Sequence, residues 1–367
     1  MHSRTDTRAM KVGNLPLGGG APVSVQTMAN VDPHDAAALA AQIDRAAALG
    51  CDLFRLTVPD LAAAETLGEV RKTSPIPLVA DIHFDYRCAL AAIEAGTDAL
   101  RLNPGNIGGR DRVQAVARAA KAKGVPIRVG VNLGSLEREL DAELRAGRLS
   151  VAEALSRSAL GHLKLLEDEG FRDVVISVKA SNVPDTIAAY RLLAERTDCP
   201  LHVGVTEAGT FLPGAVKNSV ALGVLLSEGI GDTIRVSLTA EPEKEVRVGM
   251  EILRALGLRE PGPAITSCPT CGRTQVGLFK VAAEVEARLE AAWFEETRRS
   301  RGGAARRFPH VAVMGCVVNG PGEARGADIA LCGGRGEFVL FVKGQQVGKV
   351  SEAEAAGKVM EYVDTLR

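Results

Sequence analysis

The sequence predicts an α/β protein, with an N-terminal (β/α)8 TIM barrel over residues 1–260 followed by a small α/β domain over 261–367. Three observations lead there. Eight short β-branched runs alternate with eight longer amphipathic segments rich in Ala, Leu and Arg, the rhythm of parallel strands joined through helices. Three of the amphipathic segments open with Pro near the first turn, and five close on Gly50, Gly96, Gly124, Gly170 and Gly229, which is helix punctuation. After Glu260-Pro261-Gly262-Pro263 the rhythm stops and the composition changes, which marks a linker.

The strand runs are Val23 to Met28, Leu53 to Val58, Leu78 to Phe84, Ala99 to Pro104, Ile127 to Asn132, Val174 to Lys179, His202 to Thr206 and Thr233 to Leu238. The helical segments are Ala36 to Leu49, Leu61 to Thr73, Tyr86 to Ala95, Val113 to Lys123, Val151 to Glu169, Pro184 to Arg196, Pro213 to Glu228 and Pro242 to Leu256. Eight regular units favour a closed barrel over an open doubly wound sheet. Ser135 to Ser150, rich in Glu, Arg and Leu, reads as a short extra helix on the loop after the fifth strand. Gly18-Gly19-Gly20 reads as a hairpin turn between short N-terminal strands; with no strand before it and no Gly-Lys-Ser/Thr after it, it is not a phosphate loop. In the second domain the pattern gives a helix from Thr274 to about Arg299, a polar stretch Arg301 to Arg307, and a strand His310 to Met314. Strands Asp328 to Cys332 and Glu337 to Lys343 and a terminal helix from Glu352 complete it.

A chain of 367 residues suits a barrel plus a smaller module. With 44 Lys and Arg against 45 Asp and Glu, it lacks the basic excess of a nucleic-acid-coating surface. No apolar run is long enough to span a bilayer. Seven Cys without a signal-like apolar N-terminus point to free thiols in a reducing cytoplasm.

Cys268-Pro269-Thr270-Cys271 places two thiols in one turn bounded by Pro and Gly, and a second loop, Gly315 to Glu323, brings Cys316 and a carboxylate. This is metal-ligand chemistry. A thioredoxin-like redox pair fits less well, because such motifs open a helix early in a βαβ unit and this one follows a complete array. A four-thiolate zinc ribbon needs Cys332, which ends the apolar run Ile329-Ala330-Leu331, where a free Cys is usually a small core residue. With Cys332 in the core, three thiolates and Glu323 suit an iron-sulfur cluster with one distinctive iron better than a closed structural zinc. The alternative is a zinc-stabilised barrel enzyme acting on a phosphorylated sugar.

In such barrels the C-terminal ends of the strands face the active site. There stand Arg55, Asp81, His83, Arg101, Asn103, Arg128, Asn132, Lys179, Ser181, Glu207, Arg235 and Ser237. The five cations among them meet only Asp81 and Glu207 as evident partners. A charge inside an apolar strand is costly unless compensated, so the excess calls for a polyanionic ligand, and guanidinium forks match phosphate oxygens. Glu207, at the corner Thr206-Glu207-Ala208-Gly209, is the candidate acid/base residue, with an ion pair to Lys179 or Arg235 as its structural alternative. His83, two residues from Asp81, is a candidate oriented donor.

Ala80-Asp81-Ile82-His83-Phe84, Arg101-Leu102-Asn103-Pro104-Gly105-Asn106, Cys268-Pro269-Thr270-Cys271-Gly272-Arg273 and Met314-Gly315-Cys316-Val317-Val318-Asn319-Gly320-Pro321-Gly322-Glu323 resemble the motifs of the bacterial 4-hydroxy-3-methylbut-2-enyl diphosphate synthases. These are iron-sulfur enzymes of the methylerythritol phosphate route to isoprenoids. The resemblance covers nearly the whole chain, in the compact two-domain form. It implies a [4Fe-4S] cluster held by Cys268, Cys271, Cys316 and Glu323. It implies the substrate 2-C-methyl-D-erythritol 2,4-cyclodiphosphate, whose phosphates meet Arg55, Arg101, Arg128, Lys179 and Arg235. The implied reaction is a two-electron reductive ring opening with loss of water, with electrons delivered singly by flavodoxin or ferredoxin. A head-to-tail homodimer is implied as well, the cluster domain of one subunit covering the barrel mouth of the other. On this reading Glu323, more exchangeable than a thiolate, frees an iron position. Glu207 and His83 supply or orient a proton, and Asn319 hydrogen-bonds the reacting substrate.

Overall fold

The computed structural model describes residues 3–103, 106–259, 262–300, 308–318 and 320–366, with the backbone alone at 297–300, 321, 323 and 324. The chain divides into two compact units, Met1–Arg259 and Glu260–Arg367.

The first unit is built on eight parallel strands: β1 (Ser24–Met28), β2 (Leu53–Thr57), β3 (Leu78–Asp81), β4 (Ala99–Leu102), β5 (Ile127–Asn132), β6 (Val174–Lys179), β7 (His202–Val203) and β8 (Thr233–Ile234). Each is followed by a helix: α1 (Ala36–Ala48), α2 (Leu61–Arg71), α3 (Tyr86–Glu94), α4 (Arg110–Lys123), α5 (Val151–Glu167), α6 (Val183–Arg196), α7 (Phe211–Ser227) and α8 (Pro242–Ala255). Strands β1 to β6 lie in sequence order, and β8 pairs with both β1 and β7. A parallel bridge between Ile176 of β6 and Leu201, just before β7, joins the remaining edges into a nearly closed barrel, as the alternating runs predict.

Local chemistry explains the helix ends. Asp35, Asp60, Asp85, Ser150 and Asn182 accept first-turn amides of α1, α2, α3, α5 and α6. Gly50, Gly96, Gly124, Gly170 and Gly229 all take the left-handed conformation that closes a helix. The insert after β5 forms the helix Arg138–Arg145, which buries no residue.

Inside the barrel the floor is apolar. Leu53, Val79, Ala99 and Val175 pack on Val12 and Leu17 of an N-terminal hairpin, Met10–Val12 with Leu15–Leu17. The hairpin corrects one expectation: its turn is Gly13-Asn14, and Gly18-Gly19-Gly20 follows its second strand. A Cβ on Gly18 would lie 2.1 Å from the Arg8 carbonyl, so close approach of two backbone segments is what requires glycine there. Four strands stop well short of their apolar runs: β3 at Asp81, β4 at Leu102, β7 at Val203 and β8 at Ile234, where the last two runs extend to Thr206 and Leu238. Above β7 and β8 the amides leave the ladder: Thr206 donates to the Ala180 carbonyl and Leu238 to the Glu245 carboxylate.

The second unit is a five-stranded sheet in the order β9 (Ile265–Ser267), β10 (Val311–Met314), β11 (Ile329–Gly333), β12 (Glu337–Val342) and β13 (Gln345–Ser351). The first three are parallel and the last two antiparallel. Helices α9 (Leu278–Ser300) and α10 (Glu352–Leu366) bury Leu278, Val281, Val285, Val359 and Val363 against Val311, Val313, Ile329 and Leu331. Helix α9 starts four residues later than Thr274, after a turn in which the Thr274 amide donates to the Cys271 carbonyl. The polar stretch 301–307 lies outside the described residues. No helix among the described residues is long and apolar enough to cross a membrane.

Candidate active site

The barrel holds a ring of cations above its apolar floor. Strand register brings Asp81 beside Arg101 and Arg101 beside Arg128, and sets Asn132 beside Lys179. Asp81 is fully buried and takes Arg55 at 2.6 Å and Arg101 at 3.3 Å. Its Oδ2 also lies 3.7 Å from His83 Nε2. Burial works to raise the Asp81 carboxyl, but Arg55 and Arg101 outweigh it and hold the group below the ordinary aspartate value.

Arg128 is 6% exposed, and its Nη1 donates to the Gln26 side-chain carbonyl at 2.5 Å while its Nη2 has no partner among the described residues. Burial, followed by the repulsion of Arg55 and Arg101, pushes its guanidinium well below its usual value. Burial likewise brings Arg55 down to about 10, with Arg101 and Arg235 adding to the effect and Asp81 opposing it. Lys179 is depressed too, by burial first and then by Arg235, Arg128 and Arg55. Arg55, Arg128 and Lys179 are thus disfavoured as cations by burial and by their cationic neighbours.

Two glycines make room for it. A Cβ on Gly130 of β5 would stand 2.5 Å from Arg101 Nε, and one on Gly204 would stand 3.0 Å from Lys179 Nζ and 2.3 Å from the Arg235 carbonyl.

The carboxylate that meets Arg235 is not Glu207 but Glu245 of α8, whose oxygens accept from Arg235 Nε at 3.2 Å and Nη2 at 3.3 Å. Glu207 is solvent-exposed, takes the left-handed conformation at φ 51° and forms no ion pair among the described residues, so the structural alternative of a bridge to Lys179 or Arg235 is overturned. Asn103 is buried, Asn132 and Ser237 half-buried and Ser181 exposed at the strand ends. The strand pattern missed Glu245, Gln26 and His202. His202 is an inward imidazole of β7, 1% exposed, with Nδ1 3.4 Å from Thr233 Oγ1 and Nε2 without a partner among the described residues. Burial, then Arg128 and Lys179, keep it neutral. A Glu on a helix reads as solvated and a lone His in an apolar run reads as core, so neither gave a signal.

The second unit gathers thiols. Adjacent parallel strands β9 and β10 end in register, and the Cys268 amide donates to the Val313 carbonyl, so the loops leaving both strands meet. Cys268, Cys271 and Cys316 line one cavity of about 230 Å3 together with Arg273, Met314 and Gly320. All three thiols are free. The Gly315 amide donates to Cys268 Sγ at 3.1 Å and Arg273 Nε to Cys271 Sγ at 3.4 Å. The backbone amide of Arg273 and then its guanidinium lower the Cys271 thiol. Thr270 sits at φ 66°, a strained conformation that folds the turn back on itself. Cys332 is wholly buried in β11, its thiol pushed up to about 11 by burial and then by Cys316, in keeping with a core residue. Among the described residues no three His, Cys, Asp or Glu side chains converge on a single ion position. Glu323 ends the short helix Gly320–Glu323, with its side chain outside the described residues, as Asn319 is altogether.

Residues 7–250 match the model of the GcpE TIM-barrel domain, and residues 264–365 that of the GcpE protein C-terminal domain. The chain belongs to the GcpE family. A relative from Geobacter sulfurreducens, named 4-hydroxy-3-methylbut-2-en-1-yl diphosphate synthase (flavodoxin), is 54% identical over 363 residues, covering 99% of this chain and 98% of its own. One of the same name from Clostridium acetobutylicum is 50% identical over 363 residues, covering 99% of each. Among solved structures, a Plasmodium falciparum HPPK-DHPS with pterin and p-hydroxybenzoate superposes with a TM-score of 0.51 at 11% identity, over 68% of this chain and 48% of that one. This last likeness extends to the fold alone. In this GcpE-family chain, then, the cation ring lies in the barrel domain and the thiol cavity in the C-terminal domain.

Proposed function

We propose that this chain catalyses the reductive ring opening and dehydration of 2-C-methyl-D-erythritol 2,4-cyclodiphosphate to 4-hydroxy-3-methylbut-2-enyl diphosphate. The observation that carries this reading is the uncompensated charge in the barrel: Arg55, Arg101, Arg128, Lys179 and Arg235 face two paired carboxylates, Asp81 and Glu245. A substrate with two phosphates supplies the missing negative charge, and binding it stabilises the cations that burial disfavours. Relatives of the same length and about half-identical sequence are named for the product and for flavodoxin.

The residues divide the work. The cations bind and orient both phosphates, so that the carbon skeleton is presented in one pose. His83, held near Asp81, and Glu207, free at the rim, are placed to hand over the proton that turns the departing hydroxyl into water. Two electrons and two protons enter, one ring C–O bond breaks, and one oxygen leaves as water.

The second unit suits an iron-sulfur cluster. Three free thiols spread around a cavity, with an amide and a guanidinium donating to the sulfurs, match the needs of a multinuclear centre better than convergence on one ion. Cys332 is buried in β11, which leaves three thiolates and not the four of a closed zinc site. Cys268, Cys271 and Cys316 would hold a [4Fe-4S] cluster, with Glu323 on the same loop as the fourth ligand. When bound, such a cluster supplies single electrons and a Lewis-acidic iron. Flavodoxin or ferredoxin is the donor, the protein works in the cytoplasm, and it assembles as a head-to-tail homodimer; light scattering of the purified protein tests the last point. Incubation of anaerobically reconstituted protein with the cyclodiphosphate and a reduced flavodoxin tests the reaction: the linear diphosphate is expected, and unchanged substrate would refute the assignment.

A further inference from the structure

The paired register between β8 and β1 consists of Thr233 with Ser24 and Ile234 with Val25. Above it, the seam between the two strands is closed by a side chain from outside the sheet. Helix α8 comes close to the barrel at Gly249, where a Cβ would already stand 3.1 Å from Val25 Cγ1 and 3.6 Å from Ile234 Cδ1. Glu245, one turn earlier on the same face, is thereby driven into the seam and is only 4% exposed. Its carboxylate accepts from Thr27 Oγ1 on β1 at 2.7 Å, from the Leu238 amide beyond β8 at 3.0 Å, and from Arg235 Nε and Nη2.

We infer that Glu245 is the positioning residue of the anion site, fixing the Arg235 guanidinium in the pose that meets a phosphate. The inference rests on the diphosphate reading above and adds to it a residue no strand-end pattern selects. Free arginine samples many rotamers; the two donors that Arg235 gives to Glu245 fix its plane, while Nη1 meets a weak acceptor, Met28 Sδ at 3.6 Å, which a phosphate oxygen can replace. Thr27 and Leu238 lock the carboxylate in turn, so the arm is anchored to β1 and to the chain after β8 at once. Asp81 does the same for Arg55 and Arg101 on β2 and β4, so three of the five cations are held by buried carboxylates.

The test is a double-mutant cycle read by calorimetric binding of the cyclodiphosphate to cluster-loaded protein, together with KM and kcat. Glu245→Gln is expected to weaken binding about tenfold, the size of one charge-assisted hydrogen bond, and to raise KM with kcat changed less than about threefold. In an Arg235→Ala background the same substitution is expected to add nothing, because there is no guanidinium left to orient. Glu245→Asp, which keeps the charge and shortens the reach, is expected to fall between, and it carries the comparison if the Gln variant does not fold. Unchanged affinity in these variants, or an equal loss with and without Arg235, would overturn the inference and leave Glu245 a purely structural residue. Failure of the unaltered protein to bind the diphosphate would instead count against the proposed function.

Discussion

Arg128 and Gln26 meet at 2.5 Å inside the barrel, so that a buried guanidinium has a neutral amide where an ion pair would be expected. A cation left in that state costs free energy in the ligand-free protein and returns it when an anion binds. Arg128→Met is therefore expected to keep or raise the thermal midpoint while raising KM by about thirty- to a thousandfold, in line with about 2–4 kcal/mol for a desolvated phosphate contact. Calorimetric melting and steady-state kinetics on one preparation check both halves.

Asp81 behaves in the opposite way, as a carboxylate whose ionised form is favoured by Arg55 and Arg101. Because its folded value is depressed, its contribution is complete above the unfolded value of about 4 and is lost as pH falls through the lower folded value. Asp81→Asn is expected to cost about 3–5 kcal/mol at pH 7. That difference from the unaltered protein should shrink below about pH 4 in urea unfolding series.

The two inward glycines separate stability from binding. A Cβ on Gly204 would meet the Arg235 carbonyl at 2.3 Å, a backbone atom that cannot step aside; Gly204→Ala is expected to lose about 1–3 kcal/mol of stability. On Gly130 the obstacle is Arg101 Nε at 2.5 Å, part of a flexible side chain. Gly130→Ala should therefore melt within a few degrees of the unaltered protein yet bind the diphosphate severalfold more weakly.

The four cysteines of the second unit should sort by iron content. Cys316→Ala is expected to keep its circular dichroism spectrum and lose its iron, because the sheet core of Val311, Val313, Ile329 and Leu331 does not depend on that loop. Cys332→Ala is expected to retain iron at a cost of about 1 kcal/mol for the small cavity beneath Gly320. Glu323→Ala should keep the brown colour and lose most turnover; full turnover would remove Glu323 from the ligand set.

Much of this arrangement is legible in the chain. Strand and helix alternate with chemically marked ends, so the barrel and the positions of Arg55, Arg101, Arg128, Lys179 and Arg235 follow from period and punctuation. The thiol loops are legible because two Cys in one turn have few uses. What escapes is whatever depends on how helices approach the sheet. Glu245 looks like any solvated helix glutamate until Gly249 brings α8 down onto β1 and β8. Glu207 looks like the partner of Arg235 until the early end of β7 turns it outward. His202 and Gln26 lie in runs whose burial gives no hint of which side chain points into the barrel.

The most direct test of the central claim is an anaerobic titration of cluster occupancy against turnover. Protein loaded with increasing iron and sulfide would be mixed with the cyclodiphosphate and reduced flavodoxin, and the linear diphosphate quantified. The expected result is a rate that rises in proportion to iron up to about four per chain, with a thiolate-to-iron absorbance rising in step. A rate independent of iron, or iron-saturated protein that binds the diphosphate and leaves it intact, would contradict it.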